Sequence, residues 1–465
     1  MKISNICCIG AGFVGGPTMS VIALHCPEVK ITVVDINKDK IKQWNGNVDK
    51  LPVFEPGLSE IVSKVRNVNL FFTSDIEEAI KNAEMIFLAV NTPTKSTGEG
   101  KGYAADLKYI ENAAKLIAEI STNDKIVIEK STLPVRTAER LKEIINLNKK
   151  ENINFEIISN PEFLAEGTAI NDLFKSDRVL IGGENTSKGN EAVSALVDIY
   201  KKWIPIDKIL TTNVWSSELS KLVSNAMLAQ RISSINSISA LCEETGANID
   251  EVSKAVGMDS RIGPHFLKSS VGFGGSCFKK DILNLAYISR FYGLNEVADY
   301  WESVVDINNY QTDRFADKIM SCIKDKDSII TILGWAFKKN TNDSRESASI
   351  QISKKILENG YNLKIYDPKV SKQKIINDII DIMNIDNSRF ELLSEKIEIL
   401  ESPYKAIVDS SLIAVCTEWT EFIDLKWDKI YNDMQKPSWC FDGRNILDKN
   451  ELEKIGFKTF FIGQS

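Results

Sequence analysis

The sequence predicts an α/β chain with two doubly wound parallel-sheet regions, joined by an all-helical middle that contains one long helix. Three observations predict it. Short β-branched runs alternate with helical stretches through the first third of the chain. Near residue 213 that alternation gives way to helical spacing alone, and from Asp327 it resumes. Strand, helix, strand in steady succession means a parallel sheet covered on both faces.

The elements follow in order. Strands are expected at Ser4–Ile9, Lys30–Val34, Val68–Phe72, Met85–Val90, Lys125–Glu129, Phe155–Ser159 and Arg178–Ile181. Helical pattern fills the gaps, as at Ala105–Ile120, Pro134–Leu147 and Gly189–Lys202. From Val214 to Thr245 apolar residues recur at helical spacing (Leu219, Leu222, Val223, Ala226, Leu241), with neither proline nor glycine before Gly246. More helix flanks a glycine-rich loop at Gly272–Gly275. Beyond it, Ser328–Gly334, Leu363–Tyr366, Leu412–Cys416 and Ser438–Phe441 read as strands and Ser349–Glu358 as helix. A chain of 465 residues is too long for one core. The expected domains are therefore 1–212, 213–325 and 326–465.

Composition narrows the function. The chain is 43% hydrophobic and 26% charged, ordinary for a globular protein, and its net charge of −7 opposes coating nucleic acid or anionic membrane. Eight scattered cysteines without CxxC pairs indicate reduced thiols in the cytoplasm, not a disulfide framework or zinc ribbon. With only His25 and His265, no histidine-rich metal site is expected. Lys2 and the apolar run Ile3–Cys26 resemble a signal peptide, but Gly10, Gly12, Gly15 and Gly16 break the run. No stretch is long and apolar enough to span a bilayer.

Gly10-Ala-Gly12-Phe13-Val14-Gly15 follows a predicted strand and opens a predicted helix. The first glycine permits the tight turn, the second lets backbone approach a pyrophosphate, and the third packs helix on strand. Asp35 ends the second strand, where a carboxylate can bind ribose hydroxyls and would repel a 2′-phosphate. This is a Rossmann-like dinucleotide signature favouring NAD; a glycine-rich turn without cofactor is the plainer alternative.

Gly272-Phe273-Gly274-Gly275-Ser276-Cys277-Phe278-Lys279-Lys280-Asp281 carries the second signal. Glycines admit a ligand, and two lysines beside Cys277 would favour the nucleophilic thiolate. Beside a dinucleotide site, such a cysteine suggests aldehyde-level oxidation through a thioester. A buried structural cysteine near a flexible loop is the ordinary reading. Lys221 and Asn225, four apart, share a face of the long helix. Asn160–Gly167 follows a strand at the end where such sheets bind ligands.

These segments resemble the UDP-glucose/GDP-mannose dehydrogenase family. Its order is kept by Gly10–Gly15, Asn91-Thr92-Pro93-Thr94, Lys130-Ser131-Thr132, Asn160–Gly167, Lys221/Asn225, Gly272–Asp281 and Phe441-Asp-Gly-Arg444. Within the family the chain is more similar to the eukaryotic UDP-glucose 6-dehydrogenases than to the shorter bacterial members. The resemblance spans nearly the whole chain and weakens between Ser371 and Tyr404.

The resemblance implies an NAD-binding domain, a helical middle carrying a dimer contact and a UDP-binding domain. It implies two NAD-dependent oxidations of UDP-glucose to UDP-glucuronate, and a homo-oligomer of dimers that in the family often become hexamers. Cys277 matches the nucleophile, Lys221 the ammonium that steadies oxyanions, Asn225 its companion, and Asp281 a carboxylate assisting proton transfer. Thr132 and Glu162 match residues that position water and shuttle protons; which group is the base in each step stays open. For NAD the resemblance adds Phe13, Val14, Lys40, Val90, Asn91, Thr92, Ser131, Glu166 and Arg345 to the glycines and Asp35. For the sugar nucleotide it implies Glu162, Phe163, Leu164, Ala165, Glu166, Lys221, Asn225, Arg261, Lys268, Phe273, Gly274, Cys277, Phe278, Phe337, Lys338 and Arg444. Two positions depart. Lys40 stands where many relatives have arginine, which keeps charge but loses the planar fork, and Pro264-His265 replaces a usual Asn-Lys. The competing readings are a sister enzyme acting on GDP-mannose or a UDP-N-acetylhexosamine, and a nucleotide-sugar sensor without chemistry.

Overall fold

The β-branched runs of the first 213 residues pair as one eight-stranded sheet. In the computed structural model, which describes residues 2–464, its strands are β1 (Asn5–Ile9), β2 (Lys30–Val34), β3 (Leu70–Thr73) and β4 (Met85–Leu88). They continue with β5 (Lys125–Glu129), β6 (Phe155–Ser159), β7 (Val179–Gly183) and β8 (Ile209–Asn213). The order is β3-β2-β1-β4-β5-β6-β7-β8. Alternate side chains feed opposite faces: Ile126 and Ile128 join one buried cluster with Ile6, Met19 and Phe87, while Val127 joins the other with Ile86, Ile117 and Leu141. The apolar run at the N-terminus is used up by β1 and by the buried helix Gly15–His25.

Two details depart from the sequence reading. The sheet is not wholly parallel, because β7 meets β6 antiparallel through Ser159 and Gly182. The connection between them holds only the six-residue helix Ala169–Phe174, and the chain turns back instead of crossing over. Strand β8, parallel to β7, was not foreseen: Ile209 alone is buried in it, so it carries no apolar pattern.

Contacts divide the chain into two compact units at Ser224/Asn225, inside the 32-residue helix Val214–Thr245. The helical region continues with Ile249–Gly257, Phe278–Phe291 and Asn295–Cys322. Ala226, Ala229, Phe273, Ile282, Leu285, Val304 and Val305 form its core. Met227, Ile238 and Leu241 of the long helix stay exposed.

The second sheet holds β9 (Ile329–Leu333), β10 (Asn362–Tyr366), β11 (Ile397–Ile399), β12 (Ser410–Val415), β13 (Trp439–Asp442) and β14 (Lys458–Phe461). All pairs are parallel, in the order β11-β10-β9-β12-β13-β14. The expected doubly wound architecture is thus present twice. The two edge strands, β11 and β14, escaped sequence reading because each is short and partly exposed.

One local device recurs in both sheets. The Gly10 N–H donates to Val34 O, and that of Ala11 to Asp35 Oδ2. Gly334 N–H donates to Tyr366 O, and that of Trp335 to Asp367 Oδ2. In each, a glycine at positive φ (114° and 95°) turns the chain out of the first strand toward the carboxylate that follows the second.

Candidate active site

The glycine turn has the shape a pyrophosphate requires. A Cβ on Gly10 would lie 2.2 Å from Ala89 O, and one on Gly15 would lie 2.0 Å from Gly10 O, so both positions are closed to larger residues. A Cβ on Gly12 would meet nothing within 4 Å, leaving open space beside the turn. Phe13 and Val14 lead into the helix Gly15–His25, which has no side-chain cap and no acid in its first turn. Its N-terminus is left for an anion. Burial works against charge on Asp35, but N–H donation from Asn37, Lys40 and Ala11 outweighs it and holds the carboxyl below the usual aspartate range. Lys40 sits 2.9 Å from Asp35, so its ammonium is engaged with that carboxylate. The residues present therefore fit NAD.

Around the ends of β4, β5 and β6 lie the remaining expected groups of the first unit. Ser131 Oγ donates to Val90 O at 2.6 Å, and Thr92 Oγ1 donates to Thr132 O at 3.0 Å, fastening the Asn91 loop to the Thr132 segment. Glu162 is buried and accepts from the N–H groups of Phe163 (2.8 Å) and Leu164 (3.1 Å). Lys130 Nζ lies 2.9 Å from Glu162 Oε2 and also reaches Asn160 Oδ1 and Tyr200 Oη. Burial disfavours the Lys130 charge, yet Glu162 and Tyr200 override it and raise its pKa. Lys221, 6% exposed, stands over the Phe163 ring at 5.3 Å, and Arg178 stacks on that ring at 3.9 Å. Glu55 accepts from Gly167 and Ala169, bracing the loop that carries Ala165 and Glu166.

In the second unit, Cys277 is exposed and immediately precedes the helix Phe278–Phe291. Six of the other seven cysteines are buried. Asp281, one turn into that helix and 1% exposed, accepts from Asn225 Nδ2 at 2.6 Å. The expected lysine pair is tied to carboxylates: Lys279 to Glu346 at 2.9 Å and Lys280 to Asp281 at 3.6 Å. Each ammonium beside the Cys277 loop thus also faces a carboxylate.

The loop before Cys277 is held by polar side chains that sequence reading missed. Asn308 accepts from Phe273 N–H at 2.8 Å and donates to Phe273 O at 3.1 Å. Gln311 donates to Ser270 O, Thr312 to Val271 O, and Asn236 accepts from Ser270 N–H. The helical period that could have flagged them also describes any buried helix face. A Cβ on Gly274 would strike Glu346 O at 2.5 Å and Phe337 Cβ at 2.9 Å, so the glycine is required for that approach.

Arg444 donates to Cys416 O and Phe337 O, next to Gly443, whose carbonyl accepts from Val271 N–H. The structure thereby brings Phe273, Gly274, Phe337 and Arg444 together. Lys338 stands over the Phe337 ring, and Arg345 pairs with Asp343 while its carbonyl accepts from Gly275 N–H. Arg261 is 86% exposed and closed on Asp259, and Lys268 is exposed.

A glycine-turn sheet fitted for NAD, then an exposed cysteine loop and a second, wholly parallel sheet, define an NAD-binding oxidoreductase. The chain belongs to the UDP-glucose/GDP-mannose dehydrogenase family. It matches that family's NAD binding domain over residues 4–204, its central domain over 215–310 and its UDP binding domain over 331–449. It is 56% identical to the UDP-glucose 6-dehydrogenase of Drosophila melanogaster over 99% of this chain and 96% of that protein. With that of Bos taurus it shares 54% over 100% and 94%. UDP-glucose 6-dehydrogenase 3 of Arabidopsis thaliana is 53% identical over 99% and 97%. Among solved structures, a UDP-glucose dehydrogenase from Pyrobaculum islandicum superposes with TM-score 0.83 at 26% identity, covering 100% of this chain and 98% of that one. Among the described residues no helix is long and apolar enough to cross a membrane.

Proposed function

We propose that the chain oxidises UDP-glucose to UDP-glucuronate at C6, in two steps, through a covalent adduct on Cys277. The observation that carries this reading is the exposed Cys277 followed one turn later by a buried Asp281 that is bonded to Asn225. The identity of 53–56% to UDP-glucose 6-dehydrogenases over nearly full length supports the substrate.

Gly10, Gly12, Phe13, Val14, Gly15, Asp35, Lys40, Val90, Asn91, Thr92, Ser131, Glu166 and Arg345 are proposed to hold NAD, which would supply the hydride acceptor for C6 in each oxidation. Lys221 and Asn225 donate to the C6 oxygen and steady negative charge there, an effect that typically matters by about 10²–10³ in rate. Once C6 is an aldehyde, the Cys277 thiolate adds to the carbon and holds it as a thiohemiacetal. The second oxidation leaves a thioester. Water attacks that carbonyl, the C–S bond breaks, the thiolate returns and the carboxylate leaves. Thr132 and Glu162 position the water, and Asp281 exchanges protons with the oxygen at C6.

Phe163–Glu166, Lys268, Phe273, Gly274, Phe278, Phe337, Lys338 and Arg444 are proposed to hold the sugar nucleotide, with Arg261 adding positive charge. The proposed domains are 1–212, 213–325 and 326–465. A cytoplasmic homo-oligomer, a dimer at least, is proposed on the exposed Met227, Ile238 and Leu241 of the long helix.

NADH yield per UDP-glucose consumed tests the reaction: two equivalents are expected. One equivalent, or turnover only with GDP-mannose or a UDP-N-acetylhexosamine, defeats it. A monomer by light scattering at micromolar concentration defeats the assembly.

A further inference from the structure

Glu129 ends β5 and is 1% exposed, and neither of its oxygens receives a hydrogen-bond donor. Glu218, one turn before Lys221 on the long helix, is 3% exposed and lies within hydrogen-bonding reach of it. Each oxygen of Glu218 already has a backbone donor. Its Oε2 accepts from Arg136 N–H and its Oε1 from Ala138 N–H, both at 2.7 Å. These amides open the helix Thr137–Asn148, which has no side-chain cap of its own and begins at Arg136 in the left-handed region (φ 78°).

Two ionised carboxylates cannot share a dry site without a cation. The surrounding cations are engaged elsewhere. Arg136 pairs with Glu139 and stacks on Trp215, and Arg140 pairs with Glu111 and Glu143. Lys130 is committed to Glu162, and Lys125, four residues back on the same face of β5, donates to the carbonyls of Lys81 and Ala83. Lys221 lies over Phe163. A proton between the two acids resolves the conflict, and geometry says which acid carries it. Both oxygens of Glu218 already accept, so Glu129 is the O–H donor and Glu218 the anion at the positive end of the helix.

We propose that Glu129 and Glu218 share one proton, and that this acid–carboxylate pair is a clamp that positions Thr132 and Lys221. Thr132 follows Glu129 by three residues, and Lys221 follows Glu218 by three, so both reach the chemistry from the elements the clamp joins. The positioning role rests on the reaction proposed above; the shared proton does not.

Burial first, then the Glu218 charge, pushes Glu129 well above the usual carboxyl range. A carboxyl raised in the folded state stabilises fully below the unfolded value, about 4.3. That contribution is lost as pH climbs toward the raised value.

The test uses Glu129→Gln and Glu218→Gln in the full chain, with melting temperature read from pH 5 to 9 alongside kcat and KM. Glu129→Gln keeps an N–H donor toward Glu218 at every pH. Glu218→Gln turns an NH₂ group against a backbone N–H. Glu129→Gln is therefore expected to melt above the wild type at pH 9, with the gap closing toward pH 5, and to keep kcat while extending its alkaline limb. Glu218→Gln is expected to melt lower at every pH, as a lost helix cap does, and to lose kcat by about tenfold as Thr132 and Lys221 shift, with KM little changed. A Glu129→Gln protein that tracks the wild-type melting profile, or falls as far as Glu218→Gln, overturns the shared proton. An unchanged kcat in folded Glu218→Gln overturns the positioning role alone. Failure of the wild type to oxidise UDP-glucose shows in the kinetics and leaves the melting comparison readable.

Discussion

Asn225 Nδ2 donates to Asp281 Oδ2 at 2.6 Å, tying the long helix to the helix that follows Cys277. Asp281 is 1% exposed, and without this donor it keeps Lys280 as a partner at 3.6 Å. Asn225→Ala should lower kcat by about 10²-fold, in the range of lost acid–base function. Steady-state NADH production checks this, and an unchanged kcat would remove both residues from the mechanism.

Cys277→Ser should abolish uronate formation while UDP-glucose and NAD still bind, since an alcohol at this exposed position is a far weaker nucleophile. Chromatography of products and calorimetric titration separate the two outcomes. Undiminished acid production would dispose of the covalent adduct.

Gly10→Ala and Gly12→Ala should behave oppositely. The first places a methyl group 2.2 Å from Ala89 O at φ 114° and should cost at least about 1–3 kcal/mol of stability. The second meets nothing within 4 Å, so its stability should stay within about 0.5 kcal/mol of wild type. KM for NAD should nevertheless rise, because the methyl group enters the space proposed for pyrophosphate. Melting curves and NAD titrations of the pair decide it.

Asp35→Asn should weaken NAD binding by about 10- to 100-fold, the scale of a charge-assisted hydrogen bond, and should narrow the preference over NADP. The folded protein holds this carboxyl below the usual range. Its stabilisation is therefore present above the unfolded value, about 3.9, and lost as pH falls through the depressed folded one. The stability gap between wild type and Asp35→Asn should close on acidification, read by urea unfolding from pH 6 to 3.

Asn308→Ala removes both bonds to the Phe273 backbone and should destabilise by about 1–3 kcal/mol. KM for the sugar nucleotide should rise, since the loop before Cys277 loses its brace. A wild-type KM would place that loop outside the substrate's reach.

Much of the architecture was readable from period and punctuation. Val33 and Ile128 stand in β-branched runs buried on both faces, and Gly10 to Asp35 announces the cofactor turn by spacing alone. Strand β8 was hidden because Leu210 through Asn213 are exposed, and exposure erases the pattern. The antiparallel step at β7 follows a connection whose only helix is the six-residue Ala169–Phe174, a detail that no strand-and-helix alternation announces. The clasp of Asn308, Gln311 and Thr312 lay beyond reach for another reason: a polar residue on a helix reads the same facing water or a loop carbonyl. At Lys279 and Lys280 the sequence shows charges without their partners, here Glu346 and Asp281.

The strand–glycine–strand device occurs twice, but its two aspartates have different spare capacity. Asp35 accepts from Ala11, Asn37 and Lys40. Asp367 accepts from five donors: the N–H groups of Trp335, Ala336, Lys369 and Val370, and the indole N–H of Trp419. Saturated in this way, Asp367 has no lone pair left for a visiting hydroxyl. The same scaffold thus keeps acceptor capacity in one copy and has spent it in the other.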